Sequence, residues 1–195
     1  DSAASIGAAK VVFDGGTVTM DGTYNVSGMT SFEGATVTFN PAGTVTNIGP
    51  SVVVTSGSAI LSSGSLLTPT TMSISGGTLG GADQINISGL LTWTGGRFDG
   101  PSGTNSILNA NGGITINAPS VADFTHRTIN SPGITTWTDG SLRSGQNGIF
   151  NNTGTFKDQT SSDHIIQNAY GGSATFNNIG TFEKTSSTST TVSML

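Results

Sequence analysis

The densest group of ionisable side chains in the sequence lies at Asp123, His126 and Arg127. Cleavage of an acidic polysaccharide needs clustered carboxylates, commonly with Ca²⁺, Arg or Lys beside them, to neutralise a uronate and to move a proton. On a β-strand, however, Asp123 and His126 would face opposite sides, which weakens a concerted role. The group therefore favours a polar corner, or a hydrogen bond between neighbouring turns of the chain, over catalysis.

A second set of charges, Arg97, Asp99, Asp139 and Arg143, falls at equivalent places of the repeat described below. Asp99 matches Arg143 at an offset of 44 residues, and the set therefore predicts a stripe of complementary charge. Surface ion pairs explain such a stripe better than an active site does. We accordingly predict no catalytic, cofactor-binding or metal-binding residue, and a protein that is not an enzyme.

Trp93 and Trp137 occupy the same position of the repeat. Two exposed indoles in line would form a platform on which sugar rings stack. The residues aligned with them include Val54, Ile74 and Ile116, which are typical of a core. We therefore expect both tryptophans to be buried.

Three Thr-x-Thr runs, at residues 17–19, 36–38 and 44–46, are similar to the flat threonine arrays of ice-binding solenoids. Threonine columns also cover any exposed face of a stacked β-structure, and the pattern fades after the third run. The runs therefore favour a solvated face over ice binding.

The composition excludes several classes of protein. Gly, Thr, Ser and Asn supply 29, 31, 26 and 15 of the 195 residues, whereas only 17 residues are charged, which excludes a charge-rich helical bundle and charge-driven disorder. The absence of cysteine excludes disulfide scaffolds, zinc fingers and thiol nucleophiles. A net charge of -5 with six scattered cations leaves no basic patch for nucleic acid or anionic lipid. Because no apolar run approaches the roughly 20 residues that span a bilayer, we expect no membrane insertion.

The elements that position these side chains are short strands. Apolar and small polar residues alternate at residues 17–20, 36–39, 51–54, 72–75, 91–94 and 114–117, as strands with one buried face require. Double glycines such as Gly76-Gly77 and Gly95-Gly96 separate them, and glycine tolerates the positive φ of tight corners. The sequence therefore predicts an all-β chain.

The strands belong to an internal repeat. Their second apolar residues are spaced by 15 to 26 residues, with a mean of about 20. These aligned residues are Met20, Phe39, Val54, Ile74, Trp93, Ile116, Trp137, Phe156 and Phe182. The segment 150–157, FNNTGTFK, is nearly copied at 176–183 as FNNIGTFE. We interpret the nine residues as one continuous apolar column.

A period near 20 predicts a single domain over residues 1–195, folded as a parallel β-solenoid (β-helix) of about nine coils with roughly 20 residues per coil. Like residues would stack about 4.8 Å apart, giving a rod on the order of 40 Å long. An antiparallel sandwich is the alternative, but it would have varied loops and no repeated corner phrase.

Both ends of the predicted solenoid bear on its function. Residues 1–15 form either an N-terminal cap or a leading strand, and residues 185–195 form a final strand without a cap. Uncapped strands expose backbone groups that invite pairing with another chain. We expect either a fragment of a longer protein or self-association through the ends. The missing initiator Met and signal peptide indicate a processed, exported chain.

The phrases Leu91-Thr92-Trp93-Thr94-Gly95-Gly96 and Phe150–Phe156 resemble the repeats of large secreted bacterial surface proteins, broadly right-handed β-helix adhesins and autotransporter-like passengers. The resemblance covers about residues 70–184 and implies an extracellular or cell-surface structural or adhesive protein without a cofactor. Its partners would be further copies of the chain, surface glycans or other matrix components. The alternative is a polysaccharide-binding or polysaccharide-lyase-like β-helix, because this fold serves both uses.

Overall fold

The computed structural model of the protein describes residues 4–104 and 106–194. Within them the chain forms twenty strands and no helix. The strands are Ser5–Phe13 (β1), Thr17–Met20 (β2), Thr23–Phe39 (β3), Thr44–Asn47 (β4), Ser51–Leu61 (β5), Thr71–Ile74 (β6), Thr78–Gly80 (β7), Ile85–Ile87 (β8), Leu91–Trp93 (β9), Arg97–Asp99 (β10), Ser106–Ala110 (β11), Ile114–Thr125 (β12), Arg127–Ser131 (β13), Ile134–Ser144 (β14), Gly148–Asn152 (β15), Thr155–Asp158 (β16), His164–Asn168 (β17), Ala174–Asn178 (β18), Thr181–Lys184 (β19) and Thr190–Ser193 (β20).

The strands stack as a parallel β-solenoid of about 8 turns, with equivalent positions about 21 residues apart. The predicted fold is thereby confirmed, and the antiparallel sandwich is excluded. Nine strand segments stack along one face, so eight steps of the repeat connect them. Because β1, β3, β5, β12 and β14 run through corners, fifteen strands share one hydrogen-bonded sheet, and five form a second.

The coils have three faces, which we name A, B and C. Face A comprises residues 10–13, 29–32, 51–54, β6, β9, residues 114–117 and 134–137, β16 and β19. Face B comprises β2, residues 36–39 and 58–61, β7, β10, residues 121–125 and 141–144, β17 and β20. Face C comprises residues 5–8 and 23–26, β4, Leu67, β8, β11, β13, β15 and β18.

The core is a set of inward columns rather than the single column predicted above. Val54, Ile74, Trp93, Ile116 and Trp137 are aligned rung by rung and fully buried on face A. The other four predicted members lie in two further columns.

Met20 is aligned with Phe39 on face B, whereas Val54 is aligned with Phe32. Phe156 is aligned with Thr135 and Phe182, one inward position away from Trp137. The predicted alignment failed here because a single coil presents several inward apolar residues. A period near 20 therefore does not identify which face a residue belongs to.

The copied phrase stacks as its spacing predicts. Phe150 lies over Phe176 with ring centroids 5.5 Å apart, and Phe156 lies over Phe182 at 5.2 Å. The interplanar angles are 17° and 6°, so both pairs are stacked. These aromatic columns continue the core to the last coil that the structure describes.

Glycines form the corner between faces A and B. Gly77 and Gly96 have φ values of 69° and 77°, in the left-handed region that favours glycine. A Cβ on Gly96 would also lie 2.9 Å from the carbonyl oxygen of Gly77, so the stacking of coils adds a steric reason for glycine. The double glycines of the sequence therefore mark stacked corners.

At the two ends, residues 5–13 form β1, which pairs with β3, and residues 190–193 form β20, which pairs with β17. Residues 1–3 and Leu195, which belong to the predicted end segments, lie outside the described residues.

Candidate functional site

The polar side chains that most resemble a site lie on the outer surface of face B. Arg97, Asp123 and Arg143 occupy one outer column in three successive coils. Each is half-buried or nearly buried, because the loop that follows β17 places Tyr170 over them. We refer to these four residues, with Asp99, Thr125 and His126, as the face B cluster.

Asp123 is the centre of one half of this cluster. Arg143 donates Nε and Nη2 to its two carboxylate oxygens, both at 2.8 Å. The Tyr170 hydroxyl donates to Asp123 Oδ2 at 2.6 Å, and Arg143 Nη2 donates to the Tyr170 oxygen at 3.0 Å. This bidentate geometry fixes the position of the Asp123 carboxylate between neighbouring coils.

Asp99 is the centre of the other half. The Thr125 hydroxyl donates to Asp99 Oδ1 at 2.6 Å, and Arg97 Nη2 donates to the same hydroxyl oxygen at 2.6 Å. His126 Nδ1 lies 3.2 Å from Asp99 Oδ1. The Tyr170 ring joins the two halves, because the Arg97 guanidinium carbon lies 4.7 Å from its centroid.

Two members of the cluster, Arg143 and Tyr170, have raised pKa values. The hydrogen bond to Asp123 raises the pKa of Arg143, so this guanidinium stays charged. Burial raises the pKa of Tyr170, and its hydrogen bond to Asp123 adds to the effect. A phenol with a raised pKa stays protonated at neutral pH and is a poor general base. Two arginines balance two aspartates, and their hydrogen bonds connect one coil to the next.

The predicted pairs differ from the observed ones. Asp123 and His126 do belong to one cluster, but they bind different partners, Arg143 and Asp99. The predicted match between Asp99 and Arg143 is wrong, because Arg143 is aligned with Asp123. The charge-complementary stripe itself is present, with Asp123 between the two arginines.

Asp139 lies outside this stripe. Its carboxylate accepts a hydrogen bond from the Gly140 backbone N–H at 2.8 Å and lies 3.4 Å from His164 Nε2. It is aligned with Asn117 on the corner between faces A and B, four residues before Arg143 in the same coil, and therefore lies outside the outer column of face B.

Arg127 is the largest buried ionisable side chain among the described residues. Its Nη2 donates to the Gly81 carbonyl oxygen at 2.9 Å, whereas Nε and Nη1 have no partner in the part of the chain that the structure describes. Burial lowers the pKa of Arg127 to about 10, although the charges of Asp99 and Asp83 oppose this shift. The side chain therefore remains a cation at neutral pH, and from the interior it balances the charges of Asp99 and Asp83.

Both tryptophans belong to the core, as predicted. Trp93 and Trp137 are 0% exposed, which excludes the proposed sugar-stacking platform. The threonine runs are also ordinary outer columns: Thr17 and Thr36 are followed, in the same column of face B, by Ser58, Thr78 and then Arg97. The threonines of this column and the charged residues of the face B cluster therefore belong to the same outer column of face B.

The sequence prediction missed two members of the cluster, Thr125 and, farther away in the chain, Tyr170. Tyr170 lies 47 residues after Asp123, in a loop rather than in a repeated strand position. An isolated tyrosine beside Gly171-Gly172 carries no pattern that connects it to distant charges.

Two other kinds of site are absent from the described residues. Across residues 4–104 and 106–194, no three His, Cys, Asp or Glu side chains are grouped so that they could hold a metal ion. The same residues contain no helix with the length and apolar character needed to cross a membrane.

The comparisons with known proteins gave no relative: no protein-family model, curated protein or solved structure matches this chain.

Proposed function

We propose that this chain is an extracellular structural or adhesive rod, and that copies of it join end to end through strand pairing. The support comes from the last described coil. Among the described residues, β18, β19 and β20 each pair with one strand only, on the side of the preceding coil. Their other edges pair with no strand in the described part of the chain, and a further coil could extend them.

The interior of that coil carries the proposal. Phe150 and Phe156 are fully buried, whereas Phe176 and Phe182, stacked on them, are only partly buried. A further coil would bury these rings as the preceding coils bury theirs. At the opposite end, β1 and β2 pair only with β3 within the described part of the chain. Because the two unlike ends lie at opposite ends of one stack of coils, contact between them adds molecules along the same axis and generates filaments rather than a ring.

The placement outside the cell is part of the proposal and has a different support. The repeat phrases resemble those of secreted surface proteins, and the outer columns consist mainly of Ser, Thr and Asn. A mechanical role agrees with this architecture, because every coil adds a layer of backbone hydrogen bonds and buried side chains.

Sedimentation velocity and negative-stain electron microscopy over a range of concentrations test the end-to-end contact. We expect the wild-type chain to form rods longer than one molecule as concentration rises. Phe182→Asp should stay monomeric, since it places a charge in the inward column at the edge. Ile179→Asp is the matched control, because Ile179 is in the same coil but 82% exposed, and it should assemble like the wild type.

Circular dichroism shows whether both variants retain the β-structure. If Phe182→Asp fails to fold, the assembly of the wild-type protein over the same range of concentrations tests the end-to-end contact. Strictly monomeric particles at the highest soluble concentration would refute the end-to-end contact.

A further inference from the structure

Face C carries a continuous column of asparagines on its outer surface. Neighbouring coils align these residues rung by rung from β8 to β18. The column consists of Asn86, Asn109, Asn130, Asn151 and Asn177. The Nδ2 of each of the last four donates to the Oδ1 of the asparagine one turn earlier, at 2.7, 2.7, 2.7 and 2.8 Å. We name this column the asparagine ladder.

The ladder retains hydrogen-bonding capacity toward solvent. A carboxamide has two N–H donors and an oxygen with two lone pairs. Asn130 uses one donor toward Asn109 and one lone pair toward Asn151. One donor and one lone pair per inner member thus remain for a partner, and the row is complementary to a copy of itself.

The outer column beside the ladder is uncharged. The adjacent outer column contains Ile107, Thr128, Ile149 and Thr175, all half-buried. The two columns together contain no Lys, Arg, Asp or Glu. The outer column of face B, in contrast, has Arg97, Asp123 and Arg143. These two outer columns of face C therefore lack the charges with which natural sheets prevent unwanted association.

We propose that face C binds face C of a second copy of the chain, side by side, about a two-fold axis near Asn130. This inference rests on the proposed rod function and adds a lateral contact to it. A two-fold contact requires a self-complementary patch, and the ladder provides one. Asparagine ladders are also known to stabilise dry interfaces between paired sheets, with Ile107 and Ile149 here supplying apolar contact.

The size of the patch sets the strength of the contact. Five rungs span about 19 Å between the first and last strands, and the two columns with their margins are about 13 Å wide, giving roughly 250 Å² per partner. A stable complex buries about 800 Å² per partner. A single pair is therefore weak, and the contact becomes persistent only when rods joined end to end present several patches in line.

A single-cysteine experiment tests the contact, because the chain has no natural cysteine. Thr128→Cys places one thiol beside Asn130, near the proposed axis. Thr115→Cys is the matched control, since Thr115 is also a half-buried outer threonine of a middle coil, but on face A. Under mild oxidation we expect Thr128→Cys to form covalent dimers at least about tenfold faster, because the contact raises the effective thiol concentration. Equal rates for the two variants would overturn the proposal.

Electron microscopy separates this contact from the end-to-end one. Wild-type rods of double width should become single-width in Thr128→Lys and remain double-width in Thr115→Lys. Single-width wild-type rods, unchanged by Thr128→Lys, would overturn the lateral contact while leaving end-to-end assembly intact. Paired particles of one-molecule length would support the lateral contact and contradict the end-to-end one.

Discussion

Replacing Gly140 with alanine should measure how much the close stacking of coils contributes to stability. Gly140 has a φ of 79°, and a Cβ there would lie 1.7 Å from the carbonyl oxygen of Ala118 in the preceding coil. Cβ atoms essentially never lie closer than 3.0 Å to such an atom, so the two coils must separate by at least the difference, 1.3 Å.

Gly64 is the matched control. It has the same φ of 79°, but nothing lies within 4 Å of a Cβ placed on it. Both substitutions cost about 1–2 kcal/mol from the left-handed backbone conformation. The difference between them therefore isolates the steric clash.

The size of that difference follows from the bonds around Gly140. Trp137 Nε1 donates to the carbonyl oxygens of Gly140 at 2.9 Å and Asp139 at 3.2 Å. A separation of more than 1 Å breaks or stretches these bonds, and each hydrogen bond contributes about 1 kcal/mol. With the strain of moving the two coils apart added, we expect Gly140→Ala to lose about 2–4 kcal/mol more than Gly64→Ala.

Urea unfolding followed by tryptophan fluorescence suits this comparison, because Trp137 is bonded to the altered corner. Circular dichroism on the same samples shows whether the coils unfold together, as a single free energy of unfolding requires. Stabilities of the two variants that agree within about 0.5 kcal/mol would refute the steric reasoning.

Two further predictions concern buried polar groups. Burial alone would raise the pKa of Asp158, but hydrogen bonds from Thr190, Thr160 and Lys184 outweigh it and leave the pKa lowered. This carboxylate therefore stabilises the fold above its unfolded pKa of about 3.9, and the contribution is lost as pH falls through the lower folded pKa. Asp158→Asn should reduce the free energy of unfolding at pH 7 by about 2 kcal/mol and weaken the loss of melting temperature at acid pH. A melting temperature that falls with acid pH as it does in the wild type would contradict this assignment. Trp137→Phe should lower the free energy of unfolding in urea by about 1 kcal/mol more than Trp93→Phe, because Trp93 Nε1 has no hydrogen-bond partner among the described residues. Equal losses would show that the hydrogen bonds of the Trp137 indole contribute nothing to stability.

The fold could be predicted because each coil repeats the same local sequence pattern. Alternation of apolar and small polar residues specifies strands with one buried side, and Gly76-Gly77 and Gly95-Gly96 supply corners at equal intervals. The period then requires like residues to stack. These signals are local and survive irregular coil lengths.

The alignment between coils could not be predicted to the same degree. The single strand β3 contains both Phe32 and Phe39, which point into the interior from different faces. Spacing cannot distinguish the two, because irregular corners change the coil length. The charged pairs failed for the same reason: Arg97 and Arg143 share a column at a spacing of 46 residues, two more than the offset of 44 that paired Asp99 with Arg143.

The outer columns of faces B and C follow one physical rule with different chemistry. Neighbouring side chains in a column lie about 4.8 Å apart, so each donor must meet an acceptor one coil away. Arg97, Asp123 and Arg143 satisfy this rule by alternating charge, and the asparagine ladder satisfies it with carboxamides that both donate and accept. A slip of one residue would turn these columns inward and the apolar columns outward. The face B cluster and the asparagine ladder therefore both fix the alignment of coils, but alternating charges use up their partners within the rod, whereas carboxamides keep a free donor and acceptor. This difference is why we place the lateral contact on face C.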